Sequence, residues 1–236
     1  MAQLPEGFHS LPLLTPEECQ QVRDTLHLLQ PYWRKRSQYP FFTMGAASYL
    51  DHAFGSEAML AKAAQDNAIL LEHFQWLYDR LLKVLHGLLN ESVLLDPEFA
   101  LPGFHIFQGH EAFTQPVASV HFDLQYDHYD WSRYREVDRM KPISMTLPIC
   151  LPTFGGGLRV WDMTWERAQT MSRKEFDHFK NTAPFTYHPY EPGQMVVHSG
   201  HHLHQIAPIA TIQPGDERIT LQAHSARTEQ GWVVYW

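Results

Sequence analysis

His121-Phe122-Asp123 is the first place in this chain where residue type and spacing could do chemistry. In an extended segment, residues i and i+2 point to the same side, so one imidazole and one carboxylate converge. A second histidine from a distant strand would complete a facial set of three ligands. Such a set leaves open positions on an octahedral iron(II), as oxygen activation requires. Alone, a His-x-Asp pair is a weak signal.

The second element is the run from Pro192 to Pro208, which holds His198, His201, His202 and His204. It reads as a strand, a glycine-containing bend and a histidine entering the next strand. His204 opens an apolar strand and is the preferred third ligand. His202 shares its face in an extended chain and is the alternative. His198 and His201 read as packing or solvent-facing residues. The third element is Arg218-Ile219-Thr220, after the turn Gln213-Pro214-Gly215-Asp216. Arg218 and Thr220 fall on one face of a strand. A planar guanidinium binds carboxylate bidentately, and a hydroxyl two residues on adds a hydrogen bond.

The elements that must position these residues fall into two halves. Up to about residue 100 the chain reads helical after a short strand at Phe8–Leu14. Thr15-Pro16-Glu17-Glu18 is a helix start with a capping box, and that helix runs to about Leu29. Residues 31 to 55 read as irregular and aromatic, and the stretch Tyr39 to Tyr49 is a candidate second wall of the site. A second helical region covers Ser56 to Leu89, with apolar residues near helical spacing. From Leu101 short strands follow, separated by turn residues. They are Gly103–Gln108, Val117–His121, Ile143–Leu151, Leu158–Asp162, Phe185–Tyr190, Gln194–His198, His204–Ile209, Arg218–His224 and Val233–Tyr235. A short helix is expected at Ser172–Asn181. Residues Gln125 to Arg135 read as a loop over the site mouth. The pattern predicts a mainly β fold, a sandwich or barrel with helices on one face, in a single domain over 1–236.

Composition sets outer limits. The 236 residues carry 18 Lys plus Arg against 26 Asp plus Glu, a formal charge of −8, which disfavours nucleic-acid backbones as partners. No stretch is apolar enough to cross a bilayer, and the first residues lack signal-peptide features, so a cytoplasmic location is expected. The two cysteines, Cys19 and Cys150, read as reduced core residues.

Taken in order, the three elements resemble the 2-oxoglutarate/iron(II) dioxygenase superfamily, in its prolyl-hydroxylase-like branch. The resemblance covers roughly Leu101 to Ser225. It implies a double-stranded β-helix (jelly roll, cupin-like) buttressed by N-terminal α-helices. Phe104-His105-Ile106-Phe107-Gln108-Gly109 is similar to a family strand that carries a polar residue and a Tyr, placing His105 and Phe107 at those positions. Gly155-Gly156-Gly157-Leu158-Arg159 is similar to a glycine-rich segment of the hydroxylases. The resemblance implies iron(II) on His121, Asp123 and His204, 2-oxoglutarate held by Arg218 and Thr220 with His105 nearby, and O2 as oxidant. Asp123 stands where halogenating relatives carry a small residue, so oxygen transfer is implied, with succinate and CO2 as coproducts. Gln125, Tyr126 and Arg159 are candidate contacts to a small polar metabolite, an amino acid or a peptide-derived substrate. Two other readings stay open: a binding or sensing module without turnover, and an iron oxygenase that does not use 2-oxoglutarate.

Overall fold

The computed structural model describes residues 7–51, 56–116 and 118–236. In chain order, strand β1 (His9–Pro12) precedes helix α1 (Pro16–Leu28). Next come β2 (Arg34–Lys35), β3 (Phe41–Met44), α2 (Ser48–Asp51), α3 (Ser56–Leu89), β4 (Val93–Leu95) and β5 (Gly103–Gln108). The second half holds β6 (Val137–Cys150), β7 (Phe154–Gly155), β8 (Leu158–Thr164), α4 (Trp165–Gln169), α5 (Arg173–Thr182) and β9 (Phe185–His188). It ends with β10 (Gln194–Ser199), β11 (His202–Ile206), β12 (Ile209–Thr211), β13 (Glu217–Thr228) and β14 (Gly231–Tyr235).

The larger sheet runs β1-β10-β6-β13-β5-β3-β2, and β14 and β4 extend it beside β13. The smaller sheet is β11-β8-β9, and β12 pairs with β7 next to it. All pairings are antiparallel except β14 with β4. Two facing, unclosed antiparallel sheets of this kind form the jelly-roll fold, a double-stranded β-helix.

Strand alternation divides the larger sheet into a structural face and a chemical face. Phe104 and Ile106 of β5, Ile143, Met145 and Leu147 of β6, Met195 and Val197 of β10, and Ile219 and Leu221 of β13 all pack in one cluster with α1 and α3. Val22 and Leu26 of α1 and Leu70, Phe74, Leu77, Leu81 and Leu85 of α3 are their partners. Each fully buried Leu, Ile or Phe stabilises the fold by about 1.5–3 kcal/mol. The residues between them turn the other way, into an interior cavity: His105, Ser144, Thr146, His198, Arg218, Gln222 and His224.

Helix α1 starts as its sequence predicts. Thr15 Oγ1 accepts from Glu18 N at 3.3 Å and Glu18 Oε2 accepts from Thr15 N at 2.9 Å. Gly103 is required by packing: a Cβ there would collide with the Trp236 ring. Cys19 and Cys150 are both free, the first buried and the second partly buried.

Several expectations change. The strand expected at Val117–His121 does not form among the described residues. Val117 lies outside them, and His121 makes only an isolated bridge to His204. Strand β11 begins at His202 and stops at Ile206, because Pro208 has no N–H for the ladder. Pairing then resumes as β12. β6 and β13 are longer than expected because their outer ends pair with each other, Thr228 opposite Val137. The irregular stretch 31–55 contains β3, which pairs with β5. The segment 125–135 is no free loop. Tyr126, Tyr129, Trp131 and Tyr134 are buried in a second cluster with Ala226, Val233 and Tyr235.

Asp51 locks the α2 segment against the rest. It is fully buried. It accepts from Arg36 Nη1 at 2.7 Å and Nη2 at 2.9 Å, from Lys62 Nζ at 2.5 Å and from Ala47 N at 3.1 Å. Burial acts to raise its pKa, but the hydrogen bonds from Arg36 and Lys62 outweigh this and hold it below the usual carboxylate range. Its stabilising contribution is therefore complete above the ordinary carboxylate pKa and is lost as pH falls towards the depressed folded value. Asp51→Ala leaves two cations without their partner and is expected to destabilise the fold by about 3–5 kcal/mol, measured by urea unfolding at neutral pH. The difference between variant and parent should shrink in acid.

Candidate metal centre

His121 and His204 are joined through their backbones. His121 N donates to His204 O at 2.9 Å and His204 N donates to His121 O at 3.0 Å. The bridge sets their rings side by side, with centroids 4.5 Å apart. Each ring is oriented by a backbone carbonyl. His121 Nδ1 donates to Ser119 O at 2.8 Å, and His204 Nδ1 donates to His202 O at 2.8 Å. A carbonyl can only accept, so Nδ1 carries the proton and Nε2 of each neutral ring keeps a lone pair.

Asp123 completes the group. Its N donates to Gly200 O at 2.8 Å. Oδ1 lies 3.5 Å from His121 Nε2 and Oδ2 lies 3.3 Å from His204 Nε2. One ligand atom from each of the three lies within 4.8 Å of the others. Cis donors about 2.1 Å from one ion sit about 3 Å apart, so the donor set and spacing fit one divalent cation.

The Asp123 carboxylate is held from behind as well. Gln125 Nε2 donates to Oδ1 at 3.1 Å and Ser144 Oγ donates to Oδ2 at 2.5 Å. The Ser144 O–H is committed to Asp123, so its oxygen accepts from His224 Nδ1, 3.2 Å away. Gly200 leaves room for this arrangement: a Cβ there would come within 3.1 Å of both Asp123 O and Ser144 Oγ. Burial acts to raise the Asp123 pKa, but His204 and His224 outweigh it and hold it well below the usual range. Burial acts to lower the His121 pKa, and the Asp123 carboxylate, which accepts from Nε2 when the ring is protonated, outweighs that and raises it.

Arg218 lines the same cavity, which has a volume of about 940 Å³. It is 3% exposed, and none of its three guanidinium nitrogens has a hydrogen-bond partner. The rings of Phe107 and Tyr190 flank it, at 5.8 and 5.9 Å. Burial pushes it down to about 10, which leaves it cationic at neutral pH. A buried cation without a counter-charge is strongly unfavourable, so this geometry calls for an anion.

Thr220 is fully buried and lies behind the wall. It accepts from Gln222 Nε2 at 2.8 Å, and Gln222 Oε1 accepts from Thr146 Oγ1 at 3.0 Å. Gln222 and Thr146 are therefore the polar groups that reach the cavity. His105 lines it too. Its Nε2 accepts from the Tyr49 hydroxyl at 2.5 Å, and its buried Nδ1 has no partner. Burial, then the charge of Arg218, pushes His105 down to about 3, so the ring is neutral.

The other sequence candidates are placed as follows. Gln125 is at the cavity wall. Tyr126 is not: its hydroxyl meets His201 Nε2 at 3.2 Å and its ring packs in the second core cluster. Arg159 stands over the Phe185 ring at 4.7 Å, also away from the lining. His202 stacks near Phe8 at 6.1 Å and is outside the three-residue group. His201 pairs with Glu166 at 3.0 Å. His198 does reach the cavity, with Nδ1 donating to Ser199 O at 2.9 Å. The aromatic stretch Tyr39 to Tyr49 does supply cavity wall, through Tyr39, Phe41 and Tyr49. Sequence reading missed Ser144 and His224. His224 shares the alternating face of Arg218, Thr220 and Gln222, a signal that was available.

No protein-family model matches the sequence, and no match to a curated protein was found. Solved structures do match in fold. An N-substituted L-amino acid dioxygenase from Burkholderia ambifaria AMMD, in complex with alpha-KG, superposes with a TM-score of 0.55 at 17% identity, over 97% of this chain and 86% of that one. AviO1 from Streptomyces viridochromogenes Tue57 superposes with a TM-score of 0.51 at 14% identity, over 94% and 90%. Fold and site together define a double-stranded β-helix protein with a two-histidine, one-carboxylate triad.

Calorimetric titration with Mn(II) checks the ligand assignment. His204→Ala should abolish tight binding while His202→Ala retains it. Ser144→Ala should weaken binding by about 10- to 100-fold, the usual effect of removing a group that orients a ligand.

Proposed function

We propose that this chain is a non-haem iron(II) oxygenase that uses 2-oxoglutarate and hydroxylates an unactivated C–H bond of a small molecule. The observation that carries this reading is the partnerless guanidinium of Arg218 on the cavity that also holds His121, Asp123 and His204. A metal site alone is common to many chemistries. A metal site that shares its cavity with a buried cation suits a dianion bound at both ends.

His121, Asp123 and His204 would hold the iron. When bound, it supplies activation of O2 coupled to decarboxylation of 2-oxoglutarate to succinate. The protein's own residues do the rest. Arg218 binds the far carboxylate, and its fixed planar fork sets the cosubstrate's direction. Gln222, buttressed by Thr220, and Thr146 offer polar groups beside it. The Phe107 and Tyr190 rings keep water from the guanidinium, which strengthens its pairing. Ser144 and Gln125 fix both oxygens of Asp123. Gln125 also lines the cavity and is the proposed substrate contact among the sequence candidates. No helix among the described residues is long and apolar enough to cross a membrane.

The test is succinate release from 2-oxoglutarate with iron(II), ascorbate and air. Slow uncoupled turnover is expected without added substrate, and none in His121→Ala. Oxygen uptake that ignores 2-oxoglutarate, or metal binding with no turnover under any condition, would overturn the proposal. Arg218→Met should raise the dissociation constant for 2-oxoglutarate by about a hundredfold while leaving Mn(II) affinity unchanged.

A further inference from the structure

The cavity is larger and differently lined than a metal and a five-carbon dicarboxylate need. Away from the triad and Arg218 its wall is built from aromatic rings: Tyr39, Phe41, Tyr49, Phe113 and Phe122. Tyr39 and Tyr49 remain 36% and 40% exposed. Their neighbours hold them in place without covering them. Tyr39 meets Phe113 edge-on, with centroids 6.4 Å apart. Phe41 lies flat on Phe107 at 4.3 Å and 8°. Tyr49 is tied to His105 through its hydroxyl. Concave aromatic walls of this kind suit the face or edge of another ring.

Charge points the same way. Histidines apart, Asp123 and Arg218 are the charged side chains among the described residues that line the cavity. The proposed function assigns Asp123 to the metal and Arg218 to 2-oxoglutarate. A free amino acid would then bring an ammonium and a carboxylate against rings, where desolvated charge without a partner is costly. The remaining polar groups at the wall, among them Gln38, Gln115, Ser119 and Gln125, are neutral donors and acceptors.

Resting on that functional reading, we propose that the substrate is a neutral, ring-bearing molecule with hydroxyl or carbonyl substituents, seated against the wall of Tyr39, Phe41, Tyr49 and Phe113. This narrows the expected polar metabolite or amino acid to a different class. Tyr39 is the specificity-determining contact, because its ring is backed by His110 and Phe113 and lies open.

The test uses the 236-residue chain loaded with Mn(II) and saturated with 2-oxoglutarate under anaerobic conditions, so that Arg218 is already engaged. The probes are 2-naphthol, 2-naphthoate and L-tryptophan, followed by calorimetry. 2-Naphthol should bind, and the two charged probes should bind about tenfold or more weakly by comparison. Tyr39→Ala should weaken 2-naphthol about fivefold, and Tyr39→Phe should restore it, with both variants retaining parental circular dichroism. Equal or tighter binding of either charged probe, no binding of 2-naphthol at about 1 mM, or an unchanged affinity in Tyr39→Ala would each overturn the proposal. The preceding loading step separates the two ideas. If 2-oxoglutarate does not bind, the functional reading fails and this one with it; if it binds and the probes rank otherwise, only the substrate class is wrong.

Discussion

Two backbone hydrogen bonds, exchanged between His121 and His204, are the constraint on which the site depends. Backbone groups cannot choose a different rotamer. Once they pair, two residues far apart in the chain are neighbours, and their rings have little freedom left. The carbonyls of Ser119 and His202 remove most of that freedom. Gly200 brings Asp123 to the same place by a third backbone contact. The ligand geometry is thus written mainly in main-chain pairing, and side chains refine it.

The larger sheet makes that pairing possible by separating duties across its two faces. Alternate residues of β5, β6, β10 and β13 are spent on the helix layer, where burial supplies stability. The residues between them face away from α1 and α3 and are free to be polar. This is why Ser144, Arg218 and His224 occupy strands whose neighbours are Ile143, Met145, Ile219 and Ala223. A one-residue slip in β13 would bury Ile219 in the cavity and drive Arg218 into the apolar layer. Register and chemistry are therefore coupled, and the register is fixed by pairing with β6 on one side and β5 on the other.

What the sequence made legible follows from how local each signal is. The capping box at Thr15, the strand Gly103–Gln108 and the His-x-Asp spacing are short-range patterns, and the structure has all three. The choice between His202 and His204 was harder. Both lie on β11, and what separates them is a partner some way off, since only His204 bridges to His121. The aromatic stretch after Asp123 misled because composition does not reveal direction. Tyr126, Trp131 and Tyr134 turn inward onto Val233 and Tyr235, a contact with a strand near the other end of the chain. Tyr49 belongs to the aromatic stretch expected as a second wall of the site, but its tie to His105 joins α2 to β5, a contact between distant segments that no spacing announces.

Arg218 has a consequence for the protein's lifetime as well as its chemistry. An unpaired buried cation lowers the stability of the fold that contains it, since unfolding returns the guanidinium to water. Any dicarboxylate that pairs with it binds the folded chain and not the unfolded one. The metabolite would then act as a pharmacological chaperone does, shifting the folding equilibrium by mass action. The abundance of this protein in a cell would rise and fall with the concentration of the dicarboxylate that pairs with Arg218.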